Sequence, residues 1–193
     1  YDEISKYDVV YRGEKMESYK EKAYKAFEMF DKEWAIVTAG DLEHYNSCTI
    51  GWGSFGNSWR DEGNKCSTIT IYVHPTRYTS EFLKDNDYFT VSFYPEKYRS
   101  ALAYIGSHSG RDEDKTKATG LTPIAFGQSV TYKEANLTFL CNKIYQNQMS
   151  KDGLAKGIQD YYAATPEKYS DLHGGWQPHL MFIGEIIDVI DKR

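Results

Sequence analysis

The chain has 193 residues, enough for one domain with a substantial core, and its formal net charge is −5. This charge argues against nucleic acid or an anionic membrane as the main partner, and no apolar run approaches the ~18 residues that span a bilayer. Three cysteines without CxxC spacing and five scattered histidines predict neither a disulfide framework nor a metal site, and they favour a reducing, cytoplasmic compartment.

We read residues 1–193 as a single domain, because the chain contains no internal repeat, low-complexity tract or Pro/Gly/Ser-rich linker. Residues 1–17 are expected to form a loose N-terminal arm. A helix with one buried stripe is predicted over 18–30, and the residues of that stripe are Ala23, Ala26, Phe27 and Phe30. A strand is predicted to follow over 34–40.

Two later segments, 67–73 and 88–93, have the alternating pattern of strands. Apolar residues occupy every second position in them, with Thr, Ser or Tyr in between. The apolar set is Ile69, Ile71, Val73, Phe89, Val91 and Phe93. Both strands are therefore predicted to keep one face in water.

Three helices are predicted around these strands. The first begins near residues 76–79, where Thr is a suitable N-cap. The second begins at Pro95 and stops at Gly106. Its buried face comprises Tyr98, Ala101, Leu102 and Ile105. The third is short and charged, runs over about 112–119 and ends at Gly120.

The remaining segments, about 122–149 and 179–190, are mainly strand-like. Strands therefore outnumber helices, and the helices occur as excursions between strands. This order predicts a mainly β fold, a β-barrel with helical insertions.

Three polar segments interrupt the strand pattern. Residues 46–54 read NSCTIGWGS, where a strand that only had to pack would carry more Val, Ile and Leu. Residues 74–79 read HPTRYT, and residues 106–115 read GSHSGRDEDK. These segments are candidates for contact with something polar.

The cations of these segments lie near predicted helix starts, and they are Arg77, Arg111 and Lys115. Free N–H groups and the positive end of the helix dipole favour an anion there, so such cations indicate a phosphate site. Each cation also has the alternative interpretation of a solvated charge near a helix end.

The order and setting of these motifs resemble the flavin reductase-like family, and its flavoredoxin-like members in particular. The resemblance covers roughly residues 30–190 and includes N-S-C-T-I-G-W-G-S, H-P-T-R-Y-T-S-E-F-L, G-S-H-S-G-R-D-E-D-K and the ending H-L-M-F-I-G-E-I. It implies an FMN-binding split β-barrel, with FMN rather than FAD, and usually a homodimer with flavin near the subunit interface. NAD(P)H would bind transiently over the flavin, because the chain has no GxGxxG fingerprint.

The resemblance also implies where the cofactor lies. The first polar segment would line the flavin ring and ribityl chain, the second would meet the ribityl or phosphate end, and the third would surround the flavin from a loop. The residues carried over in this way are Asn46, Ser47, Cys48, Thr49, Trp52, Arg77, Tyr78, Thr79, Ser109, Gly110, Arg111 and Lys115. No catalytic side chain is assigned, because hydride transfer to a flavin depends on alignment more than on a protein acid or base.

Two departures from the family pattern stand out. Cys48 occupies a position where many relatives carry Met, which leaves a smaller contact against the flavin. The stretch R-D-E-G-N-K at 60–65 is longer and more charged than the turn common there.

The expected function is that of an FMN-binding, NAD(P)H-dependent flavin reductase. A flavoredoxin-like electron carrier and a flavin-binding protein without turnover remain alternatives. A carbohydrate-binding β module would use the 17 Tyr and 4 Trp, but it leaves Arg77 and the S-G-R-D-x-D-K stretch without a role. His74, or one of His173 and His179, could lie beside the barrel mouth and influence the nicotinamide. The alternative, which we favour, is that these histidines are solvated loop residues.

Overall fold

The computed structural model describes residues 19–60, 63–165 and 176–193, so the predicted arm at 1–17 lies outside the described residues. The strands are β1 (Ala35–Gly40), β2 (Tyr45–Ile50), β3 (Gly53–Trp59), β4 (Lys65–Val73), β5 (Tyr88–Phe93), β6 (Pro123–Phe126), β7 (Ser129–Tyr132), β8 (Leu137–Gln148) and β9 (Leu180–Asp191). The α-helices are α1 (Ala26–Glu28), α2 (Thr79–Asp85), α3 (Arg99–Ser107), α4 (Lys115–Thr119) and α5 (Lys156–Ala164). Within these ranges, no helix is long and apolar enough to cross a membrane.

Seven strands form one antiparallel sheet in the order β2-β1-β5-β8-β9-β4-β3, and β6 and β7 form a separate hairpin. β2 and β3 lie at opposite ends of this order, although only Gly51 and Trp52 separate them in sequence. Two residues cannot span a flat seven-stranded sheet, because neighbouring strands are about 4.8 Å apart. The sheet therefore curls until the end of β2 lies close to the start of β3, which agrees with the predicted β-barrel.

β5 has no face in water, so the prediction of one wet face is wrong for this strand. All of its residues after Tyr88 are buried, because β5 lies between β1 and β8 and the β6–β7 hairpin packs on it. Thr90 donates to Val130 O at 2.6 Å, and Ser92 shares a hydrogen bond of 2.9 Å with Thr131. The hairpin thus satisfies the hydroxyl groups that the sequence pattern assigned to water.

The prediction of a helix over 18–30 is wrong. The chain instead forms a 3-10 turn, the single turn of α1, and a π-helical turn over Met29–Glu33. Phe27 of the predicted stripe is 94% exposed. Phe30 does reach the core, where its ring contacts those of Phe55 and Phe93. The apolar spacing of this segment therefore did not indicate its conformation.

The later helices lie close to their predicted positions. α2 begins at Thr79, but its N-cap Tyr78 makes no side-chain hydrogen bond, so the predicted Thr cap is wrong. α3 follows a 3-10 turn after Pro95 and continues one residue past the predicted stop at Gly106. α4 ends as predicted at Gly120, whose φ of 70° lies in the left-handed region that glycine adopts at low cost. α5 is a helix that the sequence pattern did not predict, and none of its residues is buried.

Candidate functional site

β2 is an edge strand, and some of its backbone groups point away from the sheet. Ser47 lies opposite Thr38 in the ladder with β1, and a hydrogen bond of 3.1 Å joins Asp41 N to His44 O where the ladder ends. Opposed pairs in an antiparallel ladder alternate between hydrogen-bonded and non-bonded. The Asp41–His44 pair is hydrogen-bonded and the Thr38–Ser47 pair is the third one after it, so the Ser47 pair is non-bonded. The N–H and C=O groups of Ser47 and Thr49 therefore face outward from the free edge of β2.

The hydroxyl side chains of β2 are already used within the protein. Ser47 Oγ lies 2.7 Å from Thr38 Oγ1 and 2.8 Å from Tyr132 OH. Thr49 Oγ1 donates to Leu102 O in α3 at 2.6 Å. Both hydroxyl groups are therefore engaged within the protein, while the outward N–H groups of Ser47 and Thr49 form no hydrogen bond within the described residues.

The three polar segments meet at Asn46. Thr79 Oγ1, at the start of α2, donates to Asn46 Oδ1 at 2.8 Å. Gly110 packs so closely against Asn46 that a Cβ atom at residue 110 would lie 1.9 Å from its Nδ2. Glycine is needed at 110 for this approach, and the structure thereby brings the segments together at one place.

Arg77 is the cation at the rim of this site. Its side chain is exposed, and it forms no hydrogen bond or ion pair with the described part of the chain. The start of α2 offers less to a phosphate than expected, because the N–H groups of Ser80 and Glu81 already donate to carbonyls of the preceding turn at 2.9 and 3.0 Å. An anion at this position would depend on the guanidinium of Arg77.

Arg111, by contrast, holds the third segment against α2. Its guanidinium pairs with Glu81, donates to Thr76 O at 3.3 Å, and lies 4.6 Å from the centre of the Tyr78 ring. The backbone N–H of Arg111 donates to Ser109 Oγ at 3.2 Å. These contacts fix the third segment against the start of α2.

Lys115 is buried at the free edge of β2, although it lies in the most charged stretch of the chain. Its Nζ donates to Ser47 O, and a longer contact of 3.4 Å joins it to Ile105 O at the end of α3. Burial lowers the pKa of this amine, and the charge of nearby Arg77 adds to the effect. The contact with Ser47 O also agrees with the outward direction of that carbonyl.

Two cavities adjoin β2. One of about 220 Å³ is polar, and the candidate residues along it are Asn46, Ser47, Gly110 and Lys115. The other, of about 150 Å³, is lined by Cys48 to Trp52 with Tyr72, Val73, His74, Arg77 and His179. Burial raises the pKa of the Cys48 thiol, so this side chain is a small neutral contact at neutral pH. No three His, Cys, Asp or Glu residues in the described ranges are grouped as metal ligands.

Two histidines belong to the second cavity. The His179 ring lies 4.4 Å from that of Trp52, which is 55% exposed, and 5.2 Å from that of His74. Burial, with the charges of His74 and Arg77, lowers the pKa of His179 to about 4, so its imidazole is neutral at pH 7. The expectation of solvated histidines is therefore wrong for His74 and His179, and His173 lies outside the described residues.

The charged loop at 60–65 lies away from the site. It joins the end of β3 to the start of β4, whereas the candidate residues lie at the opposite end of this hairpin. Arg60 pairs with Glu185 at 2.9 Å, and residues 61–62 lie outside the described part. The described residues of this loop therefore contribute no group to either cavity.

The curled sheet and its polar edge define a mainly β split-barrel protein with two cavities beside β2. Residues 64–193 match the family model described as Flavin reductase like domain. This match spans more than half of the chain, and the chain belongs to the flavin reductase-like family. The matched range contains the second and third polar segments and begins after β2.

Solved structures share the fold. Flavoredoxin from Methanosarcina acetivorans has a TM-score of 0.60 and 18% identity, over 82% of this chain and 68% of that chain. Flavoredoxin of Desulfovibrio vulgaris (Miyazaki F) has a TM-score of 0.57 and 21% identity, over 88% of this chain and 74% of that chain. An FMN-binding protein from Thermus thermophilus with bound p-hydroxybenzaldehyde has a TM-score of 0.59 and 18% identity, over 82% and 71%. Among curated proteins, no significant match was found.

Proposed function

We propose that this protein is an FMN-dependent oxidoreductase, and specifically an NAD(P)H-dependent flavin reductase formed by residues 1–193 as one domain. The observation that carries the proposal is the free edge of β2, with outward N–H groups at Ser47 and Thr49, beside a cavity that the exposed Arg77 and Trp52 help to line. The family, and neighbours described as flavoredoxins and an FMN-binding protein, support the choice of cofactor.

The described residues fit FMN. The pyrimidine edge of a flavin carries hydrogen-bond acceptors at fixed spacing, and the N–H groups of Ser47 and Thr49 are donors that the protein itself leaves open at that edge. The guanidinium of Arg77 is suited to a phosphate, which it can bind through two parallel N–H groups. Trp52 offers an exposed aromatic surface beside the same cavity.

Bound FMN would supply the hydride and electron transfer that amino-acid side chains lack. The role of the chain is to bind, orient and stabilise. The outward N–H groups of β2 would stabilise negative charge on the pyrimidine side of the ring. His179 is neutral at pH 7, so it would wall the cavity rather than donate a proton. No side chain is assigned as a catalytic residue, because alignment of the two reactants is the main requirement.

We further propose a homodimer. Phe27 and Trp52 are exposed on one apolar groove of about 680 Å³, which is also lined by Phe30, Phe55 and Met149. A second subunit would remove this surface from water and border the cavity that shares Trp52. Light scattering should give twice the 22.3 kDa chain mass, and the mass of one chain with flavin still bound would contradict this assembly.

Anaerobic stopped-flow reduction tests the proposed turnover. NADH or NADPH should bleach the absorbance of the bound flavin, and free flavin, a quinone or a metal chelate should restore it. If neither nicotinamide bleaches the flavin while dithionite reduces it normally, the protein is an electron carrier or a flavin store instead. If the protein retains no flavin after gel filtration, the cofactor assignment itself is refuted.

A further inference from the structure

Lys115 is a buried cation whose acidic neighbours are engaged elsewhere. It is 7% exposed and forms no ion pair with a carboxylate of the described residues. The two acidic residues that precede it are otherwise bound: Glu113 accepts from Tyr104 OH at 2.6 Å, and Asp114 accepts from the N–H of Lys117 at 3.0 Å. Burial of an ammonium group without a counter-ion is costly, so an anion from outside the chain would be stabilised beside it.

The contacts of Lys115 show where such an anion would lie. Because Nζ donates to Ser47 O, the ammonium lies along the free edge of β2, between the outward N–H groups of Ser47 and Thr49. The contact with Ile105 O holds Nζ at the last turn of α3, where the negative end of the helix dipole favours a cation. Two N–H groups and one ammonium group therefore face the same place.

Other charged and titratable groups surround this amine. Those that line the same cavity are Glu43, His44, Tyr45, Glu113, Asp114 and Tyr132, and those on neighbouring elements are Cys48 and Arg77. The second cation of this group is Arg77, which lines the second cavity. The two cations thus lie on different parts of the site and would serve different groups of one ligand.

We propose that Lys115 supplies the positive charge that stabilises the reduced, anionic form of bound flavin and thereby raises its reduction potential. This inference rests on the proposed function, and it separates Lys115 from Arg77, which would bind the phosphate in both redox states. The reduction in question adds two electrons from an external donor such as dithionite and one proton from water, so that one negative charge remains on the ring. This charge would lie on the pyrimidine side, beside the ammonium group. Lys115 would therefore act through its charge on the pyrimidine side of bound FMN.

The test is the midpoint potential of bound FMN, measured by anaerobic equilibration with a redox dye. Lys115→Met should change the ratio of the dissociation constants of reduced and oxidised FMN at least tenfold, which lowers a two-electron midpoint by about 30 mV. Lys115→Arg keeps the charge and should stay closer to wild type. Lys117→Met is the matched control, because it removes an exposed lysine from the same helix. An equal potential in wild type and Lys115→Met, or an equal shift in both Met variants, would overturn the proposal.

A second measurement keeps the proposal testable if Lys115→Met does not fold. The protonation of Lys115 and the reduction of bound FMN affect each other equally, because coupling is reciprocal. If the charge of Lys115 changes the ratio of the dissociation constants of reduced and oxidised FMN tenfold, the pKa of Lys115 must differ by about one unit between the two redox states. NMR of selectively labelled lysine in the wild-type protein should therefore show a higher Lys115 pKa with reduced than with oxidised FMN. Identical values would overturn the proposal. A wild-type protein that binds no FMN would instead refute the proposed function.

Discussion

Replacement of Arg77 by Ala should weaken the binding of FMN and leave the binding of riboflavin almost unchanged. The guanidinium is exposed and forms no hydrogen bond or ion pair with the described part of the chain, so its removal should cost the fold little. A charge-assisted hydrogen bond contributes about 1.5–3 kcal/mol, and 1.4 kcal/mol corresponds to a factor of ten in affinity. The dissociation constant of FMN should therefore rise by roughly tenfold to a hundredfold. Riboflavin lacks the phosphate and should lose almost nothing.

Fluorescence titration of the apo-protein with both ligands measures this difference. Lys84→Ala is the matched control, because it removes one exposed positive charge from α2, a few residues further along the chain. The melting temperature of the apo-protein should be the same for both variants, since surface substitutions usually change stability by less than about 0.5 kcal/mol. Equal weakening of FMN and riboflavin by Arg77→Ala would show that this side chain does not bind the phosphate.

Three further predictions follow from individual contacts. Thr49→Val should lower the free energy of unfolding by about 0.5–1.5 kcal/mol, because it removes the hydrogen bond from this hydroxyl to Leu102 O of α3, and Thr49→Ser should recover most of the loss. Equal melting temperatures of wild type and the Val variant would contradict this. Gly110→Ala should lower FMN affinity, because its Cβ would lie 1.9 Å from Asn46 Nδ2. Gly157→Ala is the control, because open space surrounds that position and this variant should bind FMN as wild type does. Equal FMN affinities of Gly110→Ala and wild type in a calorimetric titration would contradict this. The pKa of His179 is about 4 in the folded protein against an ordinary value of 6.5, so the unfolded chain binds the proton more tightly and stability is fully present only above pH 6.5. The free energy of unfolding should fall by up to about 1.4 kcal/mol per pH unit between pH 6.5 and 4, and parallel pH profiles of wild type and His179→Phe would disprove this assignment.

The sequence predicted burial best in strands that have one face in the core and the other exposed. Ile69, Ile71 and Val73 are all buried in β4, as their alternation indicated. The same rule failed for β5, because the hairpin that buries Thr90 comes from residues about forty positions away and provides a carbonyl for its hydroxyl. It also failed at Phe27, since no local pattern shows which apolar side chain remains outside the core.

The candidate site was predictable as three segments, but the division of tasks within it was not. Asn46 and Gly110 do meet, and the hydroxyl of Thr49 donates to a carbonyl of α3, a contact that no local pattern indicated. His74 and His179 were assigned to solvent as loop residues. Each of them adjoins one member of the Val73↔Leu180 pair of β4 and β9, so only the register of these strands brings the two rings together.

The central claim is that this chain binds FMN at the free edge of β2, and backbone NMR of the apo-protein titrated with FMN tests it most directly. The amide signals of Ser47 and Thr49 should shift or exchange as FMN is added, and they should reach saturation at about one FMN per chain. Amides of the 60–65 loop, at the opposite end of the β3–β4 hairpin, should remain in place. Saturable FMN binding that leaves the amides of β2 unchanged, or no binding at all, would contradict this account.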